Sequence, residues 1–210
     1  MDADYSVELG PTAPALEIPW RDAEGELQYF DLRSEPSGIE LITEARSFPA
    51  LRQFLIDVNS PRSAWQTAKC DVWAEVVEAA ENFYGAGLAQ SCYIDLVLAP
   101  HWQLLRDTLE AHERLARRIA QLLEADDALE ATAEIVVRRC YFHCGLPSKE
   151  PQDTIHDASD AGYCLTLYLS GFGASATEAA ERWERAMVLA SECLLQLQPH
   201  EERAKGRELS

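Results

Sequence analysis

Residues 161–198 constrain the chain more than any other stretch. Tyr163, Leu165, Thr166, Leu167 and Tyr168 make a β-friendly run with glycine at both ends, Gly162 and Gly171. Gly171-Phe-Gly173-Ala then leads into an amphipathic run. Ser175 and Glu178 stand in the S-x-x-E relation, in which hydroxyl and carboxylate each satisfy an otherwise orphaned backbone N–H at a helix start. Ala179, Trp183, Ala186, Met187, Ala190, Leu194 and Leu197 follow at steps of three and four, which puts them on one helical face. A strand turning tightly into a helix requires a sheet for the strand and an apolar surface under the helix.

The rest of the chain supplies that sheet. Residues 1–14 carry acidic residues and proline without a period and read as a loose lead-in, followed by a single α+β domain over 15–198 and a charged tail over 199–210. Two short apolar runs, 15–20 and 27–32, flank an Asp/Gly turn and predict a hairpin, with Pro19 pushing its strand toward a sheet edge. Residues 37–59 predict a helix broken and restarted at Ser47-Phe-Pro49, where Ser47 can cap and Leu51, Phe54, Leu55 and Val58 face inward. Strands follow over 65–77 and 91–98, a helix over 101–124, a strand over 132–143 and a polar loop over 145–160. The order β-α-β-β-α-β between Leu27 and His143 is that of the ferredoxin-like (split βαβ) plan. The expected fold is therefore an antiparallel sheet with helices packed on one face, carrying an N-terminal hairpin and an extra C-terminal strand–helix.

Charge excludes some partners. Asp+Glu 36 against Lys+Arg 18 gives a net charge of −18, which disfavours nucleic acid and anionic lipid, whose binding depends on cationic neutralisation. No run approaches the ~18 uninterrupted apolar residues of a membrane span. The acidic start lacks the basic flank and apolar run of a signal peptide, and six cysteines without such a signal read as buried thiols, so a cytoplasmic location is expected.

Three motifs reduce to structure. Gly171-Phe-Gly173-Ala-Ser-Ala176 matches G-x-G-x-x-A, but no strand follows the helix to supply the acidic ribose ligand. The glycines are expected to make the turn. Cys140 and Cys144 share one face of an extended segment while His143 takes the other, so with His156 and Cys164 they form no knuckle, and no metal or cofactor is implied. A Cys–His nucleophile is formally available, yet no local signature accompanies it, and His112 lies on an apolar helix stripe as an interior histidine would.

Polar side chains inside otherwise apolar strands carry the functional expectation. Alternation places Lys69, Asp71 and Trp73 on one face, with Tyr93, Asp95 and Val97, then Arg139, Tyr141 and His143, then Thr166 and Tyr168. The alternate sets, Cys70/Val72, Cys92/Ile94/Leu96/Leu98, Val136/Cys140/Phe142 and Leu165/Leu167/Leu169, are expected under the helices, with Arg138 violating the partition. Such a face is a solvated surface with Asp95 and Arg139 paired, or a covered one. The expectation is a non-catalytic binding or assembly protein that uses this polar-aromatic face, as a homodimer or toward a small-molecule ligand. The alternative is a small enzyme with Asp71, Asp95 and His143 as acid/base groups under the 145–160 loop.

Overall fold

Six strands form one mixed, open sheet in a computed structural model that describes residues 1–22, 26–80, 82–125, 128–143 and 161–197. The strands are β1 (Asp2–Glu8), β2 (Ala15–Ile18), β3 (Trp65–Val76), β4 (Leu88–Leu98), β5 (Ala131–Phe142) and β6 (Ala161–Gly173). The helices are α1 (Thr43–Ser47), α2 (Pro49–Val58), α3 (Leu109–Leu123) and α4 (Ala176–Gln196). Strand order is β1-β5-β6-β4-β3, with β2 continuing the β1 edge against β5. The hairpins β3–β4 and β5–β6 pair antiparallel, as does β4 with β6.

The α+β class agrees with the sequence, but the ferredoxin-like plan is not confirmed. Both β1 and β2 run parallel to β5. Residues 1–14 are not a loose lead-in, because Asp2–Glu8 adds a strand to the sheet and buries Met1 and Ala3. The hairpin expected over 15–32 is reduced to a short antiparallel fold-back, in which the Asp22 N–H also donates to the Leu27 carbonyl. β2 pairs with β5, and the chain after it folds back through the Arg21–Gln28 bridge and a Tyr29 N–H to Trp20 carbonyl bond. That segment then crosses the sheet. The Trp20 indole donates to the Ala68 carbonyl at 2.8 Å, Gln66 donates to Asp31 Oδ1 at 2.9 Å, and Arg33 donates to the Trp65 carbonyl at 3.1 Å. Residues 19–22 and 26–33 thus strap one end of the sheet from the β2 edge to the β3 edge.

The opposite face carries the helices. α4 lies over β6 and β4, α3 over β1 and β5, and α2 packs on α4 and β3. Trp183, Met187, Leu194, Ile119, Phe54 and Leu55 close over Cys92, Ile94, Leu96, Leu165, Leu167 and Ile135 in one apolar core. Gly171 and Gly173 exist for this packing. A Cβ on Gly171 would stand 2.2 Å from the Trp183 nitrogen, and one on Gly173 2.6 Å from the Ala179 nitrogen. They let the α4 backbone rest directly on β6, which accounts for G-x-G-x-x-A without a nucleotide. Ser175 caps α4 through the Glu178 N–H, while Glu178 accepts from Ala174, one residue before the position a capping box uses.

Other local expectations shift. The α1–α2 break falls at Phe48 with Pro49 in the first turn, but Ser47 bonds back to the Thr43 carbonyl instead of capping. The helix expected from His101 begins at Leu109, behind a 3-10 turn over Pro100–Leu105.

Candidate functional site

Pairing register resolves the second face into rows. Asp4, Glu134, Tyr168, Tyr93 and Asp71 are successive cross-strand partners from β1 to β3. At about 4.8 Å per strand the row spans roughly 19 Å. The next row is Ser6, Val136, Thr166, Asp95 and Lys69, and beside it Glu8 pairs with Arg138 and Gln66 with Val97. On the other flank Ser170, Ser91 and Trp73 align. The strap covers the end at Cys140, Cys164, Val97 and Ala68, where Leu16, Ile18, Tyr29 and Phe142 complete a second apolar cluster. The rows of Tyr93 and Trp73 lie beyond it.

One hydrogen-bonded chain runs across the face. Arg138 donates through Nε and Nη2 to Glu8 Oε2 at 3.0 and 2.8 Å, and through Nη1 to the Tyr168 hydroxyl at 3.0 Å and Thr166 Oγ1 at 3.2 Å. Thr166 donates to Asp95 Oδ1 at 2.6 Å. Arg138 also lies 5.5 Å from the Tyr168 ring centroid. Asp95 is buried, and loss of solvation pushes its carboxyl above the ordinary value despite the Thr166 bond and the nearby Arg138 and Lys69 charges. Burial, reinforced by Asp95 and Asp71, likewise pushes the Tyr93 hydroxyl up, so it stays a neutral donor at neutral pH.

Three aromatic rings make a ladder beside this chain. Trp73 and Tyr93 are 6.5 Å apart and tilted 46°, and Tyr93 and Tyr168 are 6.1 Å apart and tilted 48°. Around it Asp4, Glu134, Asp71 and Glu75 are exposed carboxylates. Lys69, the exposed cation of this region, stands 5.2 Å from the Trp20 ring of the strap.

The expected face is therefore assembled in part. Asp71, Trp73, Tyr93, Asp95 and Tyr168 share it as alternation predicts. Arg139, Tyr141 and His143 do not. In β5 the helix-facing set is Ala131, Ala133, Ile135 and Val137, which inverts the expected parity and makes Arg138 the arginine of the open face. The cause is the strap. It buries Cys140 and Phe142 from the other side, so both parities of β5 are apolar in sequence and alternation alone cannot choose. Arg139 sits instead 5.9 Å from the Tyr163 ring, itself against His112 of α3, and His143 Nε2 lies 3.7 Å from Glu17. Asp71, Asp95 and His143 are thus not brought together, and the 145–160 loop proposed to close over them lies outside the described residues. Sequence reading also missed Glu8 and Glu134, one in the apparent lead-in and one in a strand read with the wrong parity.

Among the described residues, several of the remaining thiols and His112 are held in their neutral forms by burial. Burial pushes the thiols of Cys70, Cys92 and Cys193 up to about 12. Cys164 is raised first by its hydrogen bond with Cys140 and then by burial. None of these four is an activated nucleophile. His112 is fully buried, its Nδ1 2.9 Å from the Thr108 carbonyl, and burial favours its neutral form. Among the described residues no group of three or more His, Cys, Asp or Glu is arranged to hold a metal ion. Cys144 and His156 lie outside them. No helix among the described residues is long and apolar enough to cross a membrane.

Comparison of the chain with protein-family models, curated proteins and solved structures finds no match.

Proposed function

We propose that the chain is a non-catalytic binding protein whose open sheet face takes a positively charged surface of a partner protein. The observation that carries this reading is the co-location of exposed Asp4, Glu134, Asp71 and Glu75 with the Trp73–Tyr93–Tyr168 ladder on the face opposite the described helices. Aromatic rings supply contact area at low entropic cost and attract cations over their faces, while the carboxylates steer and register the partner. A net charge of −18 extends that steering beyond the face. Self-association, expected from the sequence beside a small-molecule ligand, would bring a second set of the same carboxylates against the first across an isologous contact. Charge complementarity therefore favours a cationic partner over a copy. The enzymatic alternative loses support with the separation of His143 from Asp71 and Asp95.

Calorimetric titration with a small basic protein, such as cytochrome c, tests the reading. Asp71→Lys with Glu134→Lys is expected to weaken binding by on the order of tenfold, equivalent to about 1.4 kcal/mol. Glu181→Lys with Glu184→Lys, on the exposed side of α4, changes net charge equally and is expected to cost far less. Equal losses in the two double variants would reduce the effect to bulk charge. A dimer in sedimentation that Tyr93→Glu dissolves would make the occupant a second copy.

A further inference from the structure

We infer that the face selects arginine over lysine, with a partner guanidinium seated on Tyr93 between Trp73 and Tyr168 and forked onto Asp71. This rests on the cationic-partner reading and narrows its chemistry. Tyr93 is the middle ring of the ladder, and Asp71 is its direct cross-strand neighbour on β3. Arg138 shows a related recognition inside the fold, at the hydroxyl side of a ring beside a carboxylate. It lies 5.5 Å from the Tyr168 ring centroid, sends Nη1 to the Tyr168 hydroxyl at 3.0 Å, and sets Nε and Nη2 on one Glu8 carboxylate. Arg138 engages Tyr168 on the Glu8 side. Tyr93, with Asp71 and Trp73 on its far side, repeats the ring-and-carboxylate pair without an arginine of this chain in the described contacts.

Asp71 Oδ1 accepts from the Val72 N–H at 2.8 Å, which fixes the carboxylate while an oxygen still has room to accept. Tyr93 keeps its proton and so contributes a neutral π face and a donor, not a competing charge. Trp73 is steadied by its indole bond to Glu75 Oε1 at 3.1 Å. A guanidinium suits this place because it is planar, weakly hydrated and able to stack while its edge forks onto a carboxylate. An ammonium would stay hydrated and make a point contact, so it gains little from the rings.

The experiment compares octa-arginine and octa-lysine peptides by calorimetry against the full chain, at matched ionic strength, with Tyr93→Leu and Asp71→Asn as variants and circular dichroism as the folding control. The expected result is octa-arginine binding about tenfold tighter than octa-lysine, with that preference falling to about two-fold in Tyr93→Leu and Asp71→Asn while octa-lysine affinity changes little. Equal binding of both peptides overturns the arginine inference and leaves the cationic-partner reading standing. Binding of neither overturns both. An arginine preference that survives Tyr93→Leu overturns the assigned seat.

Discussion

At the scale of single residues, Asp95 is the most instructive side chain. It interrupts the apolar and aromatic run Cys92–Leu98 of β4, and it is only 8% exposed. Thr166 and Arg138 support its charged form, yet desolvation outweighs them and its carboxyl titrates above the ordinary 3.8. The folded chain therefore holds that proton more tightly than the unfolded chain. Between the ordinary value and the raised one the native state binds more protons, so this group's contribution to stability falls as pH rises through that window. Asp95→Asn keeps an acceptor for Thr166 and removes the ionisation. Chemical denaturation is expected to find the variant more stable than wild type near neutral pH, with the gap closing on acidification through the window. A less stable variant at neutral pH would mean that pairing with Arg138 outweighs burial. The sequence marks Asp95 as unusual because a carboxylate interrupts an apolar strand. It does not reveal Arg138 as its neighbour, since the parity of β5 depends on a segment more than a hundred residues away.

Among elements, the α4-on-β6 contact follows most directly from the chain. The S-x-x-E start, the apolar stripe and the paired glycines are local, and they survive folding because each is satisfied by near neighbours in sequence. Gly171→Ala places a methyl carbon where Trp183 and Ala179 backbone atoms already stand. Relief would require moving the helix off the strand, so a loss on the order of 3 kcal/mol is expected in urea unfolding. A loss under about 0.5 kcal/mol, the range of neutral surface changes, would show that α4 moves aside freely. Elements whose state depends on distant pairing were less legible. The acidic composition of β1 hides a strand period, in which Asp2, Asp4, Ser6 and Glu8 alternate with Met1, Ala3, Tyr5 and Val7, and Met1, Ala3 and Tyr5 meet the core. Its strand state comes from the exposed edge of β5 and from Arg117 of α3, which donates to the Tyr5 hydroxyl at 2.8 Å. Leu27 to Leu32 fails as a strand for the opposite reason. Its apolar residues serve a crossing segment that packs on both apolar clusters through Tyr29, Phe30 and Leu32.

For the molecule as a whole, charge and coverage together define what the chain can meet. One face of the sheet is closed by helices, one end of the other face is closed by the strap, and the remainder is acidic and aromatic. Binding steered by those carboxylates must weaken as salt screens them, since the Debye length shrinks from about 30 Å at 0.01 M to about 10 Å at 0.1 M. Affinity for a basic probe protein is expected to fall about tenfold or more between 50 and 300 mM salt, read by calorimetry. Binding insensitive to salt would instead assign the contact to apolar surface. The amino-acid sequence by itself determined the α+β class, the four long strands, the interior helical stripes and the acidic balance, because periodicity, capping and charge are properties of short stretches. Only the tertiary structure decided which way β5 faces, that the first residues join the sheet, and that Glu8, Arg138, Thr166 and Asp95 form one chain. Those outcomes depend on parallel pairing and on a strap that buries the second side of a strand: the alternation of β1 is local, but its partner strand and the facing of β5 are set by contacts between segments far apart in sequence.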